Sequence, residues 1–233
     1  MENQVSQLSK IISVFWEPSK TFKALSEKVS VLDIIIPLLL TLIVAWVSIP
    51  YTTPIALKEQ QAKMESSERF QNLPQEQKDQ IMERMDKGGN PVIAYVVSPV
   101  AIIIYTLLLA LIILMVSNFM LGGDRKFGEL WALGLYAGLI DIVASAIKIP
   151  LMVQKGSLKV YTSLAVFMEE SSDFVFNFMT KMDIFTLWKV VVIAIGISVF
   201  TRKSLTNPLI IMIVLWLIYG AVSALLMGLN PFA

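Results

Sequence analysis

Apolar residues gather into five runs, 31–50, 91–121, 130–152, 184–200 and 208–228. Each is long enough to cross a hydrocarbon core of about 30 Å, which takes about 20 residues at 1.5 Å apiece. Lipid offers no partner for a bare N–H or C=O, so each run is predicted to be a helix with its bonds closed internally. The pattern predicts an all-α, polytopic membrane protein, a five-helix transmembrane bundle. Pro37 lies inside the first run, and Pro99 near the start of the second predicts a kinked or tilted segment there.

The stretches between the runs differ in kind. In 1–30, Val5, Leu8, Ile12 and Phe15 recur at helical spacing beside Trp16, and Phe22 and Leu25 continue an apolar face after Pro18. This predicts amphipathic helices lying on the membrane surface, with Lys10, Lys20, Lys23 and Lys28 toward the headgroups. The hydrophilic stretch 51–90 predicts a charged helical insert, two helices projecting into water. Glu59 with Lys63 and Glu65 with Arg69 sit at helical spacing, Leu73-Pro74 interrupts, and Gly88-Gly89 ends it. Segment 153–182 mixes Val160, Leu164, Phe167, Phe174, Phe176 and Phe178 with Glu169, Glu170 and Asp173, which suits an interfacial or re-entrant helix. The expected organisation is an arm over 1–30 and a membrane domain over 31–228 that carries the insert.

Composition makes lipid the solvent. Hydrophobic residues are 56% of the 233, charged residues 16%, and mean hydropathy is +0.70, against about 25% charged in soluble domains. The 19 basic and 18 acidic residues nearly cancel, which argues against nucleic-acid binding. Cysteine and histidine are absent, removing disulfides, Cys/His metal sites and His- or Cys-based catalysis. No phosphate-cradling glycine loop is present. No catalytic, cofactor or metal residue is therefore expected, and the chain is read as non-enzymatic. The start lacks the apolar core and small-residue cleavage site of a signal peptide, so the first run is expected to act as an uncleaved anchor. Short turns carrying Arg125-Lys126 and Arg202-Lys203 favour a cytoplasmic N-terminus and, with five spans, an extracytoplasmic C-terminus.

Charge inside the bilayer is the one candidate for chemistry. Asp141 falls midway along the third run and Lys148 seven residues later, two turns on and nearly on the same face. The pair could share a hydrophilic seam without touching, either as a proton or ion pathway or as structural polar contacts. Asp33, Asp183 and Lys189 lie near run ends and are expected to be solvated. Small residues spaced by four, Gly134 with Gly138 and Gly220 with Ala224 and Gly228, mark expected helix contacts. Trp16, Trp131 and Trp188 suit an interfacial belt, while Trp46 and Trp216 are expected to pack inside.

Three stretches together resemble the Yip1 domain family. Phe15-Trp16-Glu17-Pro18-Ser19-Lys20-Thr21-Phe22-Lys23-Ala24-Leu25 is similar to the family's aromatic–Pro–Thr-Phe–Leu segment before the first span, through Phe15, Pro18, Phe22 and Leu25. Gly122-Gly123-Asp124-Arg125-Lys126-Phe127-Gly128-Glu129-Leu130 resembles its turn into the third span, through Gly123, Phe127, Glu129 and Leu130. Met182-Asp183-Ile184-Phe185-Thr186-Leu187-Trp188 looks like the opening of the fourth, through Asp183, Phe185 and Trp188. The resemblance implies a bacterial cell-membrane protein, since the long N-terminal region of the Rab-binding eukaryotic relatives is missing. Some short bacterial members accompany ABC-type exporters in defence against toxic peptides. Implied partners are membrane lipids and other membrane proteins, ABC transporter subunits or a second copy, and no nucleic acid. The leading expectation is a scaffold or accessory subunit. The alternative is a small transporter or channel using Asp141 and Lys148.

Overall fold

The computed structural model describes residues 5–88 and 91–228, and the side chains of residues 68, 69, 86–88, 91, 92 and 228 lie outside that description. Its helices are α1 (Gln7–Trp16), α2 (Pro18–Glu27), α3 (Leu32–Ser66), α4 (Glu68–Gln71), α5 (Gln75–Gly88), α6 (Pro91–Leu114), α7 (Phe127–Gly138), α8 (Ile140–Lys155), α9 (Phe174–Lys181), α10 (Ile184–Thr201) and α11 (Thr206–Gly228). The fold is all-helical, and five helical segments are long and apolar enough to span a membrane: Leu32–Ser66, Ile93–Met120, Phe127–Lys155, Ile184–Thr201 and Thr206–Met227. The Glu65–Arg69 pair, the Gly88-Gly89 stop and the packing of Gly228 fall outside the described residues.

The first span does not stop at residue 50. α3 runs unbroken for 35 residues, about 52 Å by rise, so the span and the first insert helix are one rod. Pro37, Pro50 and Pro54 all lie inside it. Membrane helices tolerate proline, and in the same stretch Ser48 and Thr52 donate back to the carbonyls of Val44 and Ser48. The rod ends at Ser67. α5 then returns beside it, with Leu57 and Gln60 facing Ile81, Arg84 and Met85 across a cleft. Glu59 is not left to Lys63: its carboxylate accepts the Leu158 N–H (2.9 Å) and the Ser157 hydroxyl, tying the insert to the segment after α8. Trp46 is also not interior. It is half exposed, and its indole N–H donates to the Tyr95 carbonyl.

The second span ends in a π-helical turn, Met115–Met120. The third is two helices rather than one. At Leu139 the ladder slips, its N–H turning to the Tyr136 carbonyl three residues back. Segment 153–182 is not a single helix either. Gly156, in the left-handed region at φ 64°, closes α8. A 3-10 turn (Leu164–Phe167) follows, and Asp173 caps α9 through the Phe176 N–H at 2.7 Å. α9 and its cap pack on α11 at a small notch: Met182 and Phe178 lie against Gly220, which has no Cβ to fill the space.

The core is central. Leu130, Leu133, Tyr136, Ala137 and Ile140 of α7 and α8 meet Ile193, Ala194, Ile197 and Phe200 of α10, with Phe22 and Leu25 of α2 completing the cluster. Close approach of α7 and α10 depends on Gly196, where a Cβ would sit 2.8 Å from the Leu133 side chain. α1 and α2 form an antiparallel hairpin, pinned by the Ser13 and Thr21 hydroxyls 2.7 Å apart. Its α2 lies lengthwise against α10, and α1 touches α3 and α7, so the hairpin is part of the bundle. Its Lys10 is buried, not turned to headgroups, while Lys20, Lys23 and Lys28 are exposed.

Candidate functional site

Four charged residues lie inside the five apolar runs, Asp33, Asp141, Lys148 and Lys189, and each is held in an ion pair. Asp141 and Lys148 do not share one seam. Both turn to the strand of chain that forms α10 and its cap. Lys189 Nζ donates to both Asp141 oxygens at 2.9 and 2.8 Å and to the Tyr105 hydroxyl at 3.2 Å, with the Tyr105 ring 5.6 Å away. Lys148 Nζ donates to Asp183 Oδ2 at 2.7 Å and lies 5.8 Å from the Phe185 ring. α8 therefore reads acid then base, and the chain entering α10 reads acid then base in the antiparallel direction. The spacing is seven residues on one side and six on the other, about 10.5 and 9 Å of rise, so the two rungs match.

Asp183 does a second job. Its Oδ1 accepts from the N–H groups of Phe185 (2.9 Å) and Thr186 (3.1 Å), capping the positive end of α10. Thr162 donates to Oδ2 as well. Burial works to raise its pKa, but Lys148, the Thr162 hydroxyl and the Thr186 N–H outweigh it and hold the carboxyl below its ordinary value. Asp183 and Lys189, expected to be solvated, are both buried.

Asp33 is buried too. Its carboxylate takes Lys10 Nζ at 2.6 Å, the Tyr136 hydroxyl at 3.1 Å, and the Ser30 N–H and hydroxyl at 2.8 and 2.7 Å. Tyr136 also lies 2.8 Å from Gln7 Oε1. This cluster joins the hairpin, α3 and α7.

Asp141 differs from the rest. Its side chain keeps 41% exposure and lines a cavity of about 220 Å³ between α3, α6 and the α7–α8 pair, with Thr41, Tyr105, Thr106 and Ser145. Gly134 and Gly138 border that cavity. Gly134 is closed against Ile113, whose Cδ1 would meet a Cβ at 3.2 Å, while Gly138 faces open space. Ala224 is fully buried.

The residues of the three motifs converge. Phe15, at the tip of the hairpin, packs edge-on against Trp188, ring centroids 6.1 Å apart. Pro18 opens α2, and Phe22, Leu25 and Leu130 are in the core. At Gly123 a Cβ would lie 2.8 Å from the Ser117 carbonyl and 3.1 Å from Thr201, so only glycine fits the turn. Phe127 stacks with Trp131 at 6.4 Å, and Glu129 accepts the Lys126 N–H. Arg125, between them, is no free topogenic charge. Its Nε donates to the Phe200 carbonyl (2.9 Å) and Nη1 to the Ser26 carbonyl (3.1 Å), with the guanidinium 5.2 Å from the Phe200 ring. It closes the ends of α2 and α10 against the turn, where cations complement the helix dipole.

The Yip1 domain family matches residues 12–227. This chain belongs to the Yip1 domain family. No curated protein and no solved structure matches it. The Yip1 match begins inside α1 and so takes in the hairpin tip, Arg125 and both rungs of the charge ladder. Yip1 proteins are a membrane family without known enzymatic activity. Among the described residues no group of acidic side chains could hold a metal ion.

Sequence reasoning missed Lys189, Tyr105, Arg125 and the Lys10–Asp33–Tyr136 cluster as partners. A usable signal existed for the first. Two successive spans whose charges run acid-base at near-equal spacing form an antiparallel match as soon as they are paired.

Proposed function

We propose that this chain acts as a non-enzymatic integral membrane scaffold or accessory subunit, working through membrane-protein partners. In the orientation favoured by its short basic turns, the N-terminus is cytoplasmic, the C-terminus extracytoplasmic, and the membrane that of a bacterial cell. The partner class suggested by the Yip1 resemblance is an ABC exporter, in export or toxic-peptide defence. One observation carries the reading: every charge within the apolar runs is committed to a partner inside the chain. Such charges orient helices and set their register. Meanwhile the outer faces of α3, α6 and α11, through Ile43, Val47, Ile104, Leu108, Ile218 and Leu225, stay exposed and apolar. Copurification in mild detergent tests it, using the full chain and a chain lacking the insert. Recovery of transporter subunits with the full chain supports the reading. Recovery of no membrane protein with either would sink it.

A second reading, a small transporter or channel, draws on the partial exposure of Asp141 in its cavity. Its working residues would be Asp141 and Lys189, with Lys148 held apart by Asp183. Asp141→Asn should then abolish flux in reconstituted vesicles, and unchanged flux removes this reading.

A further inference from the structure

The hairpin presents two unlike outward faces. On α1, Leu8, Ile12 and Trp16 recur every four residues as one exposed apolar stripe, Trp16 being 81% exposed. The opposite face of α1, through Lys10, Ser13 and Val14, is buried against the bundle. On α2 the exposed positions are Ser19, Lys20, Lys23 and Glu27, followed by Lys28. Apolar and basic faces therefore lie side by side on neighbouring helices.

The position of the hairpin says what covers the stripe. At one end, Arg125 joins the Ser26 carbonyl to the Phe200 carbonyl, so the end of α2 is level with the end of α10. At the other, Phe15 packs on Trp188, near the opposite end of α10. Those two contacts are twelve residues apart on α10, about 18 Å by rise, more than half of a hydrocarbon core. α10 is a membrane-spanning helix. A hairpin that runs alongside it is at membrane level, not in bulk water. Four residues after α2, the chain enters the span α3, which fixes the other end at the membrane as well.

We infer that the α1–α2 hairpin is a lipid-binding paddle sunk into the bilayer beside α10. Leu8, Ile12 and Trp16 insert among acyl chains. Lys23 and Lys28, on long flexible stems near the Ser26 end, reach the headgroups, where anionic lipid attracts them. Glu17 and Lys20 at the tip lie 3.7 Å apart and offset one another. This goes beyond the scaffold reading and holds whichever protein partner that reading acquires.

The absence of cysteine makes the test clean. Ile12→Cys, Trp16→Cys and Lys23→Cys replace exposed side chains, so a fluorophore at each leaves the core intact. The purified full chain is labelled with an environment-sensitive dye and placed in nanodiscs of phosphatidylcholine and phosphatidylglycerol, where both faces meet solvent. The expected result is strong quenching of positions 12 and 16 by lipids brominated in the acyl chain, with iodide quenching several-fold weaker than at position 23. Because Trp16 is uncovered by protein, such protection comes from lipid. Equal iodide quenching at 12, 16 and 23 would overturn the inference and make the stripe a water-facing surface for a protein.

Discussion

The two halves of the bundle are built on different principles. In the third and fourth spans, 56% and 39% of the most apolar window is buried inside the protein, whereas the first and fifth bury 17% and the second 28%. The central half, α7, α8 and α10 with α2, is held by interdigitated Leu, Ile and Phe side chains around Gly196, much as a water-soluble core is. The outer half, α3, α6 and α11, turns more of its surface outward, and on α3 and α6 its apolar contacts with the centre are joined by polar points: Asp33 to Lys10 and Tyr136, Trp46 to Tyr95, Trp131 to Thr106. Lipid supplies no hydrophobic drive between helices. Directional contacts therefore add to side-chain packing in fixing where α3 and α6 sit.

The largest effect should come from breaking a buried ion pair. Lys10→Met alone leaves the buried Asp33 uncompensated and should destabilise the protein by about 3–5 kcal/mol, while adding Asp33→Leu should recover part of the loss. Thermal unfolding in detergent reads both, and a double variant as weak as the single would show that more than pairing is at stake. Next is the packed half. Gly196→Val drives a side chain into Leu133 and should cost about 1–3 kcal/mol, whereas Gly138→Ala, with open space before it, should change stability by less than about 1 kcal/mol. Equal losses at the two would erase the distinction between tight and loose contacts. In the insert, Glu59→Ala removes two acceptor contacts to residues 157 and 158 and should lower the melting point by an amount worth about 1–2 kcal/mol.

The smallest effect is in acid. The Asp183 carboxyl is held below its ordinary value in the fold. Its contribution is therefore present above the ordinary carboxylate pKa, near pH 4, and is lost as pH falls below that toward the folded-state value. Asp183→Asn should flatten the acid limb of a stability–pH curve. An unchanged limb would mean that other carboxylates set it.

Much of this was legible in the chain. The five runs, the charged insert interrupted at Leu73-Pro74, and the likeness to Yip1 proteins all rest on local pattern, because length and hydropathy alone decide what can cross a bilayer. The boundaries were less legible. The first apolar run stops at residue 50 where the chain turns hydrophilic, but α3 does not stop there and continues through Pro50 and Pro54. Near Leu139 the slip in the third span follows Gly138, whose spacing from Gly134 marks it for a helix contact and not for an end. The candidate site was half visible: Asp141 and Lys148 stood out as charges in lipid, but their partners did not.

Solvent preference is a property of each residue and its neighbours in sequence, so the chain alone was enough to say that it lives in a membrane, as helices, without cysteine or histidine chemistry. Which acid meets which base is a property of position in space. Asp141 finds Lys189 across 48 residues, Asp33 finds Lys10 and Tyr136, and Arg125 reaches Ser26 across 99 residues and Phe200 across 75. Hydropathy runs along the chain, but ion pairs close across it, and helix packing alone brings those distant charges within reach.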